Sequence, residues 1–144
     1  MRHPIHPMLV HLPIACWLLA PACDVAAMAQ GGAFFWQAGA LLCGVGVISG
    51  ALAATAGGME LERLKGRKDL QRIATIHASL MGSAWVIAMI ALIGRLGDQF
   101  TAKAPAAAWV VALDFATAVI LLAGAFFGGE MVYRHGVGVR KDGA

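Results

Sequence analysis

Five histidines could serve as ligands or proton carriers in this chain, and three of them crowd into its first eleven residues. The opening segment reads MRHPIHPMLVHLP and places His3, His6 and His11 among prolines, just ahead of a long apolar run. His77 and His135 follow much later. A neutral imidazole binds transition metals and is a common axial ligand of haem iron. The question is therefore which of these side chains the fold brings together.

The elements that must position the histidines are four apolar stretches, each close to the roughly 20 residues that cross a bilayer as a helix. Apolar residues make up 60% of the 144 and charged residues only 13%, against about 25% in soluble domains. Glycine-rich or charged segments separate the stretches, and no strand-like alternation is present. We expect an all-α, integral membrane four-helix bundle forming one domain over residues 1–144, with spans at 8–29, 33–58, 73–94 and 106–129.

The distribution of lysine and arginine predicts the orientation of this bundle. With four spans, both termini and the segment between the second and third spans lie on one side, which carries nine of the basic residues; the other side carries two, Arg95 and Lys103. Loops on the cytoplasmic side are enriched in lysine and arginine. The sequence therefore predicts a multi-pass membrane protein with both termini in the cytoplasm. All five histidines then fall at the cytoplasmic end.

Matched depth singles out two of these histidines. Pro7 suits the first position of a helix, so His11 and His77 are each expected ~5–7 Å inside their spans, at ~1.5 Å per residue. An ionisable side chain inside a membrane suggests a function by default, and bundle interiors commonly hold cofactors. We expect His11 and His77 to bind a haem iron or another metal, with His6 or His135 as a reserve ligand. The alternative is a neutral histidine bonded to a neighbouring helix.

Small residues on the second and fourth spans could accommodate the flat face of a haem. They are Gly46, Gly50, Gly124 and Gly128. The same spacing is also the small-xxx-small pattern, which lets helices pack closely, within one chain or between subunits, without any cofactor. Beside this site, Tyr133 could line a pocket as a supporting residue, and Arg72 could hold the acidic propionates of a haem.

Two carboxylates lie in spans but far from the histidines. Asp24 follows His11 by 13 residues, or ~20 Å along a helix, and Asp114 lies at the same end of the bundle. Such acids can belong to a proton path or a quinol site. The simpler expectation is that both are shallow and therefore hydrated or protonated.

Several function classes lack any signature in the sequence. It contains no G-x-S-x-G, P-loop or H-E-x-x-H motif, and its three cysteines form neither C-x-x-C nor C-x-x-C-H. The basic loop is explained by membrane orientation and attraction to anionic lipid, so nucleic acid is not an expected partner. An electron-transfer protein or subunit is favoured over a stand-alone enzyme.

Two segments carry a resemblance to a known family. HPIHPMLVHLP at the start and GGEMVYRHGVGV at residues 128–139, together with four spans, resemble the bacterial membrane family catalogued as domain of unknown function 2231. The resemblance covers essentially the whole chain and implies a four-helix inner-membrane protein, with a hint of electron transfer but no settled activity. The positions that match the family's motifs are His3, His6, His11, Gly128, Gly129, Tyr133, Gly136 and Gly138.

The leading functional hypothesis is a small b-type cytochrome that binds haem b between its helices. It would sit in the lipid bilayer and pass electrons between quinol, or a redox partner protein, and another carrier. Two alternatives remain open at this point. One is a cofactor-free accessory or anchor subunit of a membrane redox complex, assembled through its glycine-rich faces; the other is a membrane protein with a histidine-bound transition metal.

Overall fold

The computed structural model describes residues 5–31, 33–63, 66–96 and 107–139, and these ranges contain five helices. The helices are α1 (Ile5–Leu9), α2 (His11–Gln30), α3 (Ala33–Arg63), α4 (Lys68–Arg95) and α5 (Ala108–Tyr133). The first two are nearly continuous, so these described ranges contain four segments that are long and apolar enough to cross a membrane. The expected four-helix membrane bundle is confirmed. His3 lies outside the described residues.

The helices extend beyond most of the predicted spans. The second span continues through MELER to the end of α3, and the third begins five residues early, at Lys68. Glutamate, lysine and arginine are good helix formers, so the helical hydrogen bonds continue where the apolar sequence stops. The helix of the fourth span, α5, begins two residues later than predicted, at Ala108.

The entry into the first span differs from the expectation that Pro7 starts the helix. The chain is already helical at Ile5, and Pro7 lies inside α1. The interruption comes at Val10, a turn residue between α1 and α2. Pro13 has no N–H to donate to the carbonyl of Leu9, so the helical ladder is incomplete at this point. The short α1 is therefore not held in line with α2, and it packs mainly against α3.

A glycine ends α2 and starts the tight connection to α3. Gly31 has a φ of 72° and donates its backbone N–H to the carbonyl of Ala27 at 2.9 Å. A residue with a Cβ is strained at such a positive φ, and glycine at this position is a common way to end a helix. Helices α2 and α3 consequently run antiparallel as close neighbours.

The bundle is assembled from two helix pairs. Helix α2 packs mainly on α3, and α4 packs mainly on α5, while the pairs meet through α3–α4 and α2–α5 contacts. We call the end at which α1 begins and α5 finishes the terminal end. The other, where α4 finishes and α5 begins, is the opposite end.

An apolar core fills the middle of the bundle. Its buried members are Trp17, Cys43, Val47, Ala88 and Leu121. The Trp17 indole lies directly on Gly46 and Gly50 of α3, since a Cβ added at Gly50 would come within 2.9 Å of Trp17 Cη2, and one at Gly46 would come closer still. These two glycines hold a tryptophan of the same chain against the helix backbone, as small-xxx-small packing requires.

Gly50→Ala should lower stability, because the added methyl group forces Trp17 out of a filled core. Overpacking of this kind typically costs about 1–3 kcal/mol. The matched control is Gly58→Ala on the same helix, where an added Cβ meets nothing within 4 Å. Thermal unfolding of both variants in detergent checks the prediction: an unchanged melting temperature for Gly50→Ala would contradict it.

Candidate functional site: two polar centres at opposite ends of the bundle

The terminal end holds a pair of histidines. The rings of His6 on α1 and His77 on α4 have their centroids 6.4 Å apart and planes at 84°. Both residues are half-buried. His77 is the tenth residue of α4, which places it ~14 Å along the helix from Lys68 at ~1.5 Å per residue. Two imidazoles thus meet at this end of the bundle, one from α1 and one from α4.

Backbone carbonyls fix the orientation of both rings. His6 Nδ1 lies 2.7 Å from the carbonyl oxygen of Ala53, and His77 Nδ1 lies 2.8 Å from that of Gly124. A carbonyl can only accept, so each Nδ1 carries the hydrogen and donates it. In the neutral ring the lone pair then resides on Nε2. Metal-binding histidines commonly have this arrangement, in which the second nitrogen donates to a carbonyl or carboxylate.

Glycines allow both rings to approach a helix backbone. A Cβ added at Gly57 would come within 2.9 Å of His6 Cε1, and one at Gly128 would come within 3.1 Å of His77 Cε1. Gly124, whose carbonyl accepts from His77, lies against Met81 and Leu80. Gly128 is therefore beside the histidine pair, while the space next to Gly124 is filled by side chains of α4.

The expected partnership of His11 with His77 is corrected by this geometry. His11 begins α2 and its side chain is exposed, so it faces away from the core. His6 meets His77 instead. The turn at Val10 separates the two histidines, and α1 lies against α3. Predicting the helix start at Pro7 assigned the wrong histidine to the bundle interior.

The other predicted site residues do not join the pair. Tyr133 is 92% exposed and Arg72 is also exposed. His135 is half-buried in the turn after α5, and its buried Nε2 has no partner among the described residues.

A haem lying on Gly46 or Gly50 would have to displace Trp17. Of the predicted set, the structure brings together His6, His77, Gly124 and Gly128.

A second polar centre, which sequence reasoning missed, lies toward the opposite end. The Arg95 guanidinium, only 1% exposed, contacts the carboxylates of both Asp24 and Asp114 through the same nitrogen, Nη2. Asp24 Oδ2 is 2.5 Å from that nitrogen. Asp24 comes from α2, Asp114 from α5 and Arg95 from the last position of α4. We call these three residues the buried triad.

The two acids, expected to be shallow and hydrated or protonated, are instead buried inside the protein. Asp24 is 0% exposed and Asp114 is 2% exposed. Arg95, assigned from the sequence to the surface, is buried between them. A signal was available: charges in membrane helices are nearly always paired, and Arg95 is the basic residue at the end of a span on the same side as both acids.

Two small residues of α3 complete the surroundings of the triad. Cys43 is fully buried; its thiol donates to the Ala88 carbonyl at 3.4 Å and lies 3.9 Å from Asp114 Oδ1. A Cβ added at Gly39 would come within 3.1 Å of Asp24 Oδ1. Helix α3 thus closes the fourth side of a site built from α2, α4 and α5.

Arg95→Met should be strongly destabilising, because it leaves two buried carboxylates without their cation. Breaking a buried ion pair from one side typically costs about 3–5 kcal/mol. The control is Arg72→Met, an exposed position on the same helix, where a change within about 0.5 kcal/mol is expected. Chemical unfolding in detergent measures both, and equal stabilities of the two variants would contradict the role given to Arg95.

Comparison with known proteins identifies the family of the chain. Residues 2–141 match the family described as "Predicted membrane protein (DUF2231)", in agreement with the motifs at both ends of the sequence. No curated protein and no solved structure matches the chain. Since the match extends over nearly the whole length and the fold has the four apolar helices of a multi-pass membrane protein, the chain belongs to the DUF2231 family of membrane proteins.

Proposed function

We propose that this chain is a membrane electron-transfer protein in which His6 and His77 bind the iron of a haem b at the terminal end of the bundle. The observation that carries the proposal is the pair of neighbouring imidazoles, each with Nδ1 bound to a carbonyl. Bound by these two residues, the haem group would supply one-electron chemistry at this end of the bundle. His77 keeps the role expected from the sequence, and His6 takes that of His11.

The separation of the rings supports two ligands on opposite sides of one metal. An imidazole nitrogen binds a transition metal at ~2.0–2.1 Å, which puts the ring centre ~3 Å from the metal. Two opposed ligands therefore have centroids ~6 Å apart, whereas a tetrahedral arrangement brings them to ~5 Å. The observed separation of 6.4 Å is close to the centroid distance of two opposed ligands. Axial ligands can differ in ring rotation, so the 84° between planes is no obstacle.

The limited number of donors favours a haem over a bare metal ion. Within residues 5–31, 33–63, 66–96 and 107–139, no group of three or more His, Cys, Asp or Glu side chains is placed to hold a metal. A protein metal site ordinarily supplies three or four ligands. Haem brings its own four nitrogen ligands and requires only two from the protein.

The chain's own contribution is to hold both rings in place. The Ala53 and Gly124 carbonyls accept from Nδ1, which fixes the tautomer and increases the basicity of Nε2. Gly57 and Gly128 leave room for each ring against a helix. The packing of Trp17 on Gly46 and Gly50 restricts any cofactor to the terminal half of the bundle.

A cofactor-free accessory subunit is the second candidate, and one observation favours it. The glycines that could have received a haem face in mid-bundle are occupied by side chains of the same chain, Trp17 and Met81. In that case the two histidines act only as hydrogen-bonded links between helices, α1 to α3 and α4 to α5. The same experiment separates the two candidates.

The test is an absorption spectrum of the protein purified after expression with ample haem. We expect a Soret band and a reduced-minus-oxidised α-band. In His6→Ala and in His77→Ala the α-band should be lost and the Soret band shifted or lost, because each variant removes one of the two ligands. The matched control is His11→Ala, a histidine only five positions from His6 but exposed, which should keep the full spectrum.

Each alternative gives a different result in the same preparation. A spectrum lost in His11→Ala and kept in His6→Ala would overturn the assignment of the ligands. Absence of any haem band in the folded wild-type protein would favour the accessory subunit. Metal in elemental analysis without a haem spectrum would favour a histidine-bound transition metal.

We further propose the bacterial inner membrane as the location, with both termini in the cytoplasm and quinone or a redox protein as electron partner. The basis is the excess of lysine and arginine on the side of the termini, nine against two. The histidine pair would then lie toward the cytoplasm and the buried triad toward the outside.

Cysteine labelling tests this orientation. Arg67→Cys, at the exposed start of α4, should react with a membrane-impermeant maleimide only after the cells are permeabilised. Ala107→Cys, at the exposed start of α5, should react in intact cells. Labelling is measured against the wild-type protein, whose own cysteines are buried or half-buried. The reverse pattern would place the termini outside.

A further inference from the structure

We infer that the buried triad is a proton-binding site, holding one proton between the carboxyl groups of Asp24 and Asp114. The inference is independent of the haem proposal. Arg95 lies 18 residues beyond His77 on the same helix, or ~27 Å along its axis. Neither site contacts the other, and the apolar core lies between them.

The first argument is the charge balance. With both carboxylates ionised, the triad carries one uncompensated negative charge, and all three side chains are 3% exposed or less. An uncompensated charge in a low-dielectric environment is neutralised by a change in protonation rather than tolerated. One added proton makes the site neutral, with Arg95 positive, one aspartate negative and the other an uncharged acid.

The second argument is the geometry of the two acids. Both Oδ2 atoms contact the same guanidinium nitrogen, so the two carboxyl groups are immediate neighbours. Two carboxylates sharing one site cannot both ionise easily, and such pairs hold a proton in common. The chemistry is a single acid–base equilibrium: a hydronium ion gives its proton to one carboxylate oxygen, so one O–H bond forms on the carboxyl group, one breaks in hydronium, and water is released.

The third argument comes from two polar atoms of the triad that take no part in its ion pairs. Asp24 Oδ1 and Arg95 Nε are both buried without a hydrogen-bond partner among the described residues. A static ion-pair network would satisfy such atoms, since an unpaired polar group in a buried site is costly. A carboxyl oxygen without a donor and an N–H without an acceptor are suited to a proton or a water molecule that carries one.

Within residues 5–31, 33–63, 66–96 and 107–139, no further ion pair involves the triad. Two thiols lie near the described triad: Cys43 of α3, close to Asp114 Oδ1, and the half-buried Cys23, which precedes Asp24 on α2. A thiol that donates to the Ala88 carbonyl is neutral. Helix α3 otherwise presents Gly39 to Asp24 and Arg95. Among the residues that the structure describes, the balance is therefore one cation against two acids.

Infrared difference spectroscopy of the folded protein in lipid vesicles, in H2O and D2O near neutral pH, tests the inference. We expect one protonated-carboxyl band that shifts in D2O. Asp24→Asn and Asp114→Asn should each abolish it, because either variant leaves one aspartate paired with Arg95 as a neutral pair. The control is Glu130→Gln, at an acid that pairs with the exposed Arg134, which should keep the band.

Arg95→Gln should change the protonated-carboxyl band in the opposite direction. Without the guanidinium both acids should be protonated, and the band should increase about two-fold. If this variant does not fold, the two asparagine variants still decide, since each retains a balanced pair. A folded wild-type protein without the band, or a band that survives in both asparagine variants, would overturn the proton site and leave the haem proposal untouched.

Discussion

The structure depends on one constraint: a guanidinium and two carboxylates lie where water does not reach them. Arg95 ends α4, yet it is turned between Asp24 of α2 and Asp114 of α5 and is only 1% exposed. Ions taken out of water lose several kcal/mol of hydration each, which attraction offsets only at close range. The three helices must therefore keep this end of the bundle together, and α3 closes it with Gly39.

At the terminal end, neutral polar groups must likewise find partners inside the protein. His6 and His77 each donate Nδ1–H to a carbonyl of a neighbouring helix, so neither ring is left with two unpaired nitrogens in an apolar setting. Between these two centres, Trp17 lies on glycines of α3, and Trp85 donates its indole N–H to the Val47 carbonyl. Two polar centres at the ends and a filled apolar middle give each end its own chemistry.

Much of the fold was readable from composition alone. Lipid offers no hydrogen bonds to the backbone, so a long apolar stretch has to be a helix, and the four spans follow from their lengths. Helix limits were less predictable, because helical hydrogen bonds continue into charged segments such as MELER at the end of α3. The start of the first span differs from the prediction for a local reason. Either Pro7 or Pro13 could interrupt the helix, and the chain is helical from Ile5 with its interruption at Val10.

By itself, the sequence determined the membrane setting, the number of spans, and the end of the bundle at which each polar residue lies, because these depend only on hydropathy and on distance along a helix. Only the tertiary structure decided which polar residues meet. Depth along a helix is the same for all faces, whereas contact depends on rotation about the helix axis and on the course of α1. For that reason His6 replaced His11 beside His77, and Arg95 proved to be the partner of Asp24 and Asp114.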